Sequence, residues 1–107
     1  MDDTSFGLEK KTIEKINSVF SKYNQIESVK LYGSRAEGTF KPQSDIDLTL
    51  MGENLDTTFL FKIENELDDL LLPYSIDVSI LAQIENQELV EHIKRVGLDF
   101  YINRNKK

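Results

Sequence analysis

Residues 31–50 read LYGSRAEGTFKPQSDIDLTL, and the fold turns on how this stretch is punctuated. Its second half alternates. Over 44–51, SDIDLTLM, the residues Ile46, Leu48 and Leu50 fall on one face of a strand, and Asp45, Asp47 and Thr49 on the other. Upstream, SVKLY at 28–32 alternates in the same way and runs into Gly33-Ser34. Between the two strands, residues 34–43 carry Gly38 and Pro42 and read as one short helical turn followed by a loop.

Outward from this centre the period changes to that of helices. Ile13, Ile16, Val19, Phe20 and Tyr23 recur at three and four residues within 8–23, and Leu55, Phe59, Leu60, Ile63, Leu67, Leu70 and Leu71 form a second stripe that Pro73 ends. YSIDVSIL at 74–81 alternates again, with Ile76, Val78 and Ile80 opposite Asp77 and Ser79. Leu89, Val90, Ile93 and Val96 mark a third long helix over 86–96, with Gly97 as its C-cap. GLDFYI at 97–102 reads as a short edge strand and NRNKK as a frayed basic tail. No repeat, low-complexity stretch or linker interrupts the chain. The expected fold class is α/β (α+β): a small sandwich in one domain over 1–107, its mixed sheet of three to four strands covered by helices on one face.

Composition narrows the function classes. At 107 residues, 39% hydrophobic and 30% charged, the chain is globular and has one modest core. Thirteen Lys plus Arg against nineteen Asp plus Glu leave a formal charge of −6. That argues against a direct nucleic-acid partner, because such binding needs many cationic phosphate contacts. With no cysteine there is no disulfide framework, thiolate metal site or cysteine nucleophile, and His92 alone makes no multi-histidine site. The apolar runs fall far short of the about 20 residues that span a bilayer, so no membrane partner is expected. The opening MDDTSFGLEKK lacks a signal peptide's basic and apolar regions, and cytoplasm is the expected compartment.

The acids are the informative residues. Asp45 and Asp47 leave one strand face about 6–7 Å apart at their Cα atoms, so they repel each other or share a cation. If the strand bearing Asp77 is a neighbour, three carboxylates converge. Oxygen ligands without histidine or cysteine suit Mg²⁺ or Mn²⁺, and Mg²⁺ typically bridges one or two carboxylates to substrate phosphates. Gly33 lets backbone approach a phosphate, Ser34 adds a hydroxyl donor, and Arg35 and Lys41 lie near enough in sequence to neutralise phosphate charge. A phosphate cradle beside a carboxylate–metal patch is a site for a nucleoside triphosphate and for phosphoryl or nucleotidyl transfer. A Gly-Ser turn or an aspartate on a strand is, taken singly, a turn or a solvated face; the combination carries the inference. His92 reads as a helix-surface residue, the acids in ENELDD (64–69) as a solvated face, and Phe6, Phe40, Tyr74 and Phe100 as core or rim packing.

LYGSRAEGTFKPQSDIDLTL resembles the signature of the DNA polymerase β-like nucleotidyltransferase superfamily: Gly33-Ser34, ten residues, then Asp45-Ile46-Asp47. Asp77 in YSIDVSIL fits the superfamily's third carboxylate, and the G-S-R-A-x-G form resembles its minimal nucleotidyltransferase (MNT, or MntA-type) branch. The resemblance spans about Leu8 to Ile93 and implies a palm-like fold. Many superfamily members add a helical domain that holds base or acceptor; this chain ends without one, so the expected acceptor comes from elsewhere. Such minimal proteins are often antitoxins paired with a HEPN-domain RNase toxin, in hetero-oligomers with it, and resemble enzymes that move AMP from ATP to a toxin tyrosine. By position, Gly33 and Ser34 would hold the β- and γ-phosphates. Asp45 and Asp47 would bind two Mg²⁺ ions, and Asp77 would bind the catalytic ion and help the acceptor hydroxyl lose its proton. The competing expectations are a non-catalytic antitoxin that binds its toxin stoichiometrically, and nucleotidyl transfer to a small molecule.

Overall fold

The structure, a computed structural model, describes residues 4–104. In chain order the elements are β1 (Thr4–Ser5), β2 (Leu8–Glu9), α1 (Lys10–Phe20), β3 (Ile26–Tyr32), α2 (Ser34–Glu37), β4 (Ile46–Gly52), α3 (Thr57–Asp68), β5 (Ile76–Ile80), a 3₁₀ turn (Leu81–Gln83), α4 (Gln87–Val96) and β6 (Leu98–Ile102). The four larger strands form one sheet in the order β5-β4-β3-β6; β3 is antiparallel to both neighbours, and β4 and β5 are parallel. The expected mixed sheet is thus present, with α3 as the crossover that the parallel pair requires.

Helix boundaries follow side-chain chemistry. Asp56 caps α3 by accepting the Phe59 N–H at 2.8 Å, and Asn86 caps α4 by accepting those of Glu88 and Leu89 at 2.9 and 3.2 Å. The first helix starts two residues later than its stripe suggests. Leu8 and Glu9 instead pair with Ser5 and Thr4 across a two-residue turn, Phe6-Gly7, with φ of 58° and 75°. The reading missed this hairpin because phenylalanine is no usual occupant of a left-handed turn position.

Ile16, Val19 and Phe20 of α1 and Ile63 and Leu67 of α3 bury against Val29, Leu31, Ile46, Leu48, Leu50, Val78 and Ile80 of the sheet. The expectation of helices on one face only is corrected by α4. Its buried Ile93 stands apart from this core, and Gly97 at its end abuts Lys30, whose side chain leaves β3 on the side opposite Val29 and Leu31. Gly97 does cap α4, but with extended backbone (φ −64°, ψ 142°) and its N–H on the Ile93 carbonyl, not in the left-handed form. The tail reading is corrected at Asn103, which donates from its backbone to Glu27 O at 2.9 Å and from its side chain to Ile26 O at 3.2 Å. Residues 105–107 of that tail lie outside the described residues.

Candidate active site

Strand register decides which acids meet. Tyr32 of β3 pairs with Asp47 of β4, and Asp47 with Asp77 of β5, so the three side chains stand in one row across three strands. The next row on the same face is Lys30, Thr49 and Ser79, with the Ser79 hydroxyl donating to Thr49 Oγ1 at 2.9 Å. Ile46 N donates to Ser75 O at 2.9 Å, which sets the β4–β5 register from its first residue. Asp45 lies one residue before β4 and is exposed.

Gly33 follows the row directly. Its φ of +75° belongs to the left-handed region, and a Cβ there would stand 2.4 Å from Asp47 Oδ2. Only glycine lets the turn close against that carboxylate. Gly33 O then accepts the N–H groups of Ala36 and Glu37 at 3.1 Å, and Ser34 O accepts those of Gly38 and Thr39 at 2.9 and 3.1 Å. The N–H groups of the first α2 residues have no such intrahelical partner and are left to other acceptors.

Asp47 is the carboxylate that its surroundings perturb. Asp47's carboxyl is held above the usual carboxylate range by its burial first, then by the charges of Asp77 and Asp45 and by a hydrogen bond with Asp77. The Tyr32 phenol is also raised, chiefly by burial and further by Asp47 and Asp77, while a hydrogen bond with Ser79 acts in the opposite sense. Among the described residues no three His, Asp or Glu side chains close around a single point. The adjacent Asp47–Asp77 pair nevertheless fits an ion that takes one or two carboxylates and draws its other ligands from water and phosphate.

A raised acid pKa has a definite consequence for stability. Between the unfolded and folded pKa values of Asp47 the native state holds more protons, so stability falls as pH rises through that window and stays reduced at neutral pH. Without divalent ions, Asp47→Asn is therefore expected to melt higher than the parent at pH 7. The gap should close as pH is lowered through the carboxylate range, where both chains are neutral at this position. Melting curves from pH 3 to 7 check it; an Asn variant that melts lower throughout would show that the carboxylate is not strained.

Arg35, expected to neutralise phosphate charge, is turned into the protein. It is 2% exposed, and its guanidinium donates to Phe6 O at 2.9 Å, Ser44 O at 3.1 Å and Pro42 O at 3.2 Å. Phe40 and Tyr74 cover it, their ring centroids 5.3 and 5.2 Å from Cζ. It ties the N-terminal hairpin to the loop that delivers Asp45. Lys41 is exposed on that loop, where its backbone N–H donates to Ser44 Oγ at 2.8 Å. His92 is half-buried on α4 with Nε2 3.3 Å from Glu37 Oε2, Phe6 packs on Phe100, and in the 64–69 run Glu66 takes Lys22 and Tyr23. Tyr32 is the residue that sequence reasoning missed. Alternation alone puts it on the polar face beside Lys30, but its place beside the acids needs the register.

A family model described as Polymerase beta, Nucleotidyltransferase matches residues 14–106, and the chain belongs to that family. No curated protein matches it. Among solved structures it is similar to a toxin–antitoxin crystallised with AMP-PNP, at 20% identity and a TM-score of 0.70 over 86% of this chain and 74% of the other. It is also similar to a complex of a tri-AMPylated Shewanella oneidensis HEPN toxin with its MNT antitoxin (16%, TM-score 0.65, over 89% and 73%). A third is an MntA–HepT toxin–antitoxin (16%, TM-score 0.65, over 90% and 74%). At these identities the likeness is one of fold.

Proposed function

We propose that this nucleotidyltransferase moves AMP from ATP to a tyrosine hydroxyl of a HEPN-type toxin and thereby acts as its antitoxin. The observation that carries the reading is the contact between the Gly33 turn and Asp47, with Asp77 next to Asp47 in register. It sets the Gly33-Ser34 turn against Asp47, the carboxylate whose pKa is raised, with Asp77 beside it. The toxin complexes among the fold neighbours, one with an AMPylated toxin, support the choice of acceptor.

Gly33 and Ser34 hold the β- and γ-phosphates. Asp45, Asp47 and Asp77 are the residues that would hold Mg²⁺, with Asp45 and Asp47 orienting the triphosphate and Asp77 serving the acceptor hydroxyl. Bound there, Mg²⁺ would supply positive charge against the α-phosphate and the departing pyrophosphate. Asp77 takes up the proton as the acceptor oxygen bonds to the α-phosphorus and the bond to the β-phosphate oxygen breaks. Arg35 holds the loop that carries Asp45 and touches no substrate.

ATP with Mg²⁺ at about a hundred times its Kd is expected to stabilise the fold by about 2.7 kcal/mol, and Mg²⁺ alone by much less. Thermal melts with each addition check this. The decisive experiment is intact mass of the toxin after incubation with the protein, ATP and Mg²⁺. Additions in whole AMP units are expected. An unmodified toxin that is still neutralised would replace catalysis by stoichiometric binding.

A further inference from the structure

The end of α3 carries three residues that work against the fold. Leu71 has a left-handed backbone (φ 55°) and is 88% exposed. Its N–H closes a turn on the Asp68 carbonyl at 3.1 Å, just past a helix end, where glycine is the common left-handed residue. A leucine there bears the steric cost of its Cβ and buries nothing in return, whereas its neighbours Leu70 and Leu72 pack against the core. Asp68 and Asp69, both exposed, stand at the C-terminus of α3, where the helix dipole favours cations.

Beside Leu71 is a cavity of about 270 Å³ lined by Leu67, Asp68, Leu72, Tyr74, Ser75 and Ile76. It falls below the about 300–1,000 Å³ of small-molecule pockets and is of a size for a single side chain. The surroundings are acidic: residues 63–93 hold eight Asp and Glu and neither Lys nor Arg. A surface of that sign attracts a basic partner. The lining residues Ser75 and Ile76 lead directly into Asp77, exposed on the edge strand β5, while the Gly33 turn follows β3, two strands inward. A protein seated on residues 68–76 thus reaches Asp77 and leaves the Gly33 turn open. We propose that Leu71 and the acid-rimmed cavity beside it are the docking point of the protein that brings the acceptor hydroxyl to Asp77. The segment that engages them carries an apolar side chain flanked by Lys or Arg. The inference deepens the proposed function and rests on it for the acceptor being a protein, the toxin.

The test uses the full chain and the toxin. Leu71→Gly is expected to melt no lower than the parent, because glycine takes the left-handed backbone freely. In calorimetry without nucleotide it should nevertheless bind the toxin about tenfold more weakly or worse, the factor that burying one leucine supplies. In AMP transfer the KM for toxin should rise by about tenfold or more, with kcat and ATP–Mg²⁺ affinity within about threefold, since the lost contact serves ground and transition states alike. Asp68→Asn/Asp69→Asn is expected to slow toxin association severalfold at low salt, a difference that about 0.5 M NaCl removes. A lower-melting Leu71→Gly, parental toxin affinity in Leu71→Gly, a loss confined to kcat, or no toxin binding by the parent would each overturn the docking point. So would self-association of the parent that Leu71→Gly abolishes, which would assign the surface to a second copy of this chain. A toxin bound through Leu71 but left unmodified by the parent would uphold the docking point and overturn the nucleotidyl-transfer reading instead.

Discussion

Asp77→Asn is expected to transfer AMP about 10²–10⁴-fold more slowly than the parent, the range lost with a positioned proton acceptor, while binding ATP with Mg²⁺ almost unchanged. The asymmetry comes from the sheet. Asp47 lies against the Gly33 turn, where the triphosphate is proposed to sit, and Asp77 lies one strand further out, on the edge strand β5. Asp47→Asn and Asp45→Asn are therefore expected to weaken ATP–Mg²⁺ binding as well as transfer. Calorimetric titration with ATP and Mg²⁺, alongside single-turnover AMP transfer to the toxin, separates the two patterns. Three variants with equal losses of binding and rate would refute the division of labour. Variants that neutralise the toxin without modifying it would refute the enzyme.

Arg35→Ala is expected to cost about 3–5 kcal/mol, at the upper end for a single site, because it removes a buried side chain, leaves three part-buried carbonyls without their donor and empties the space between two aromatic rings. Domains of this size hold about 5–15 kcal/mol in all, so the variant should melt more than about 10 °C lower. Arg35→Lys should recover little of it, since one ammonium cannot reproduce a planar fork that reaches the carbonyls of Phe6, Pro42 and Ser44. Urea unfolding of the three proteins checks this. A lysine variant of near-parental stability that has lost ATP affinity would show that the residue serves phosphate after all.

The parts of the molecule that were legible in the sequence are those governed by local period. Alternation over 44–51 and 74–81 located two strands and separated their apolar residues from Asp45, Asp47 and Asp77, and the Gly-Ser turn pointed to the same site. What stayed hidden was set by contacts distant in the chain. Nothing near Asp77 says that it pairs with Asp47, because a parallel register is made across a whole helical crossover. Leu89, Val90, Ile93 and Val96 show that α4 has an apolar side but not which sheet face receives it. Arg35 looked like a phosphate ligand because charge near a Gly-Ser turn is visible in sequence, whereas the carbonyls that claim it come from Phe6, Pro42 and Ser44.

The parallel pairing of β4 with β5 also bears on the order of events in folding. β3 and β4 are joined by residues 33–45 and can pair first, whereas β5 reaches β4 only after the longer segment 53–75, with α3, has folded back over the sheet. Loop closure of that kind is slow relative to local hairpins. A chain emerging during synthesis thus displays Gly33, Asp45 and Asp47 well before Asp77 arrives beside them. Under the proposed function, AMP transfer, which needs Asp77, is expected to return only in the last stage of refolding, later than the signals from helix formation.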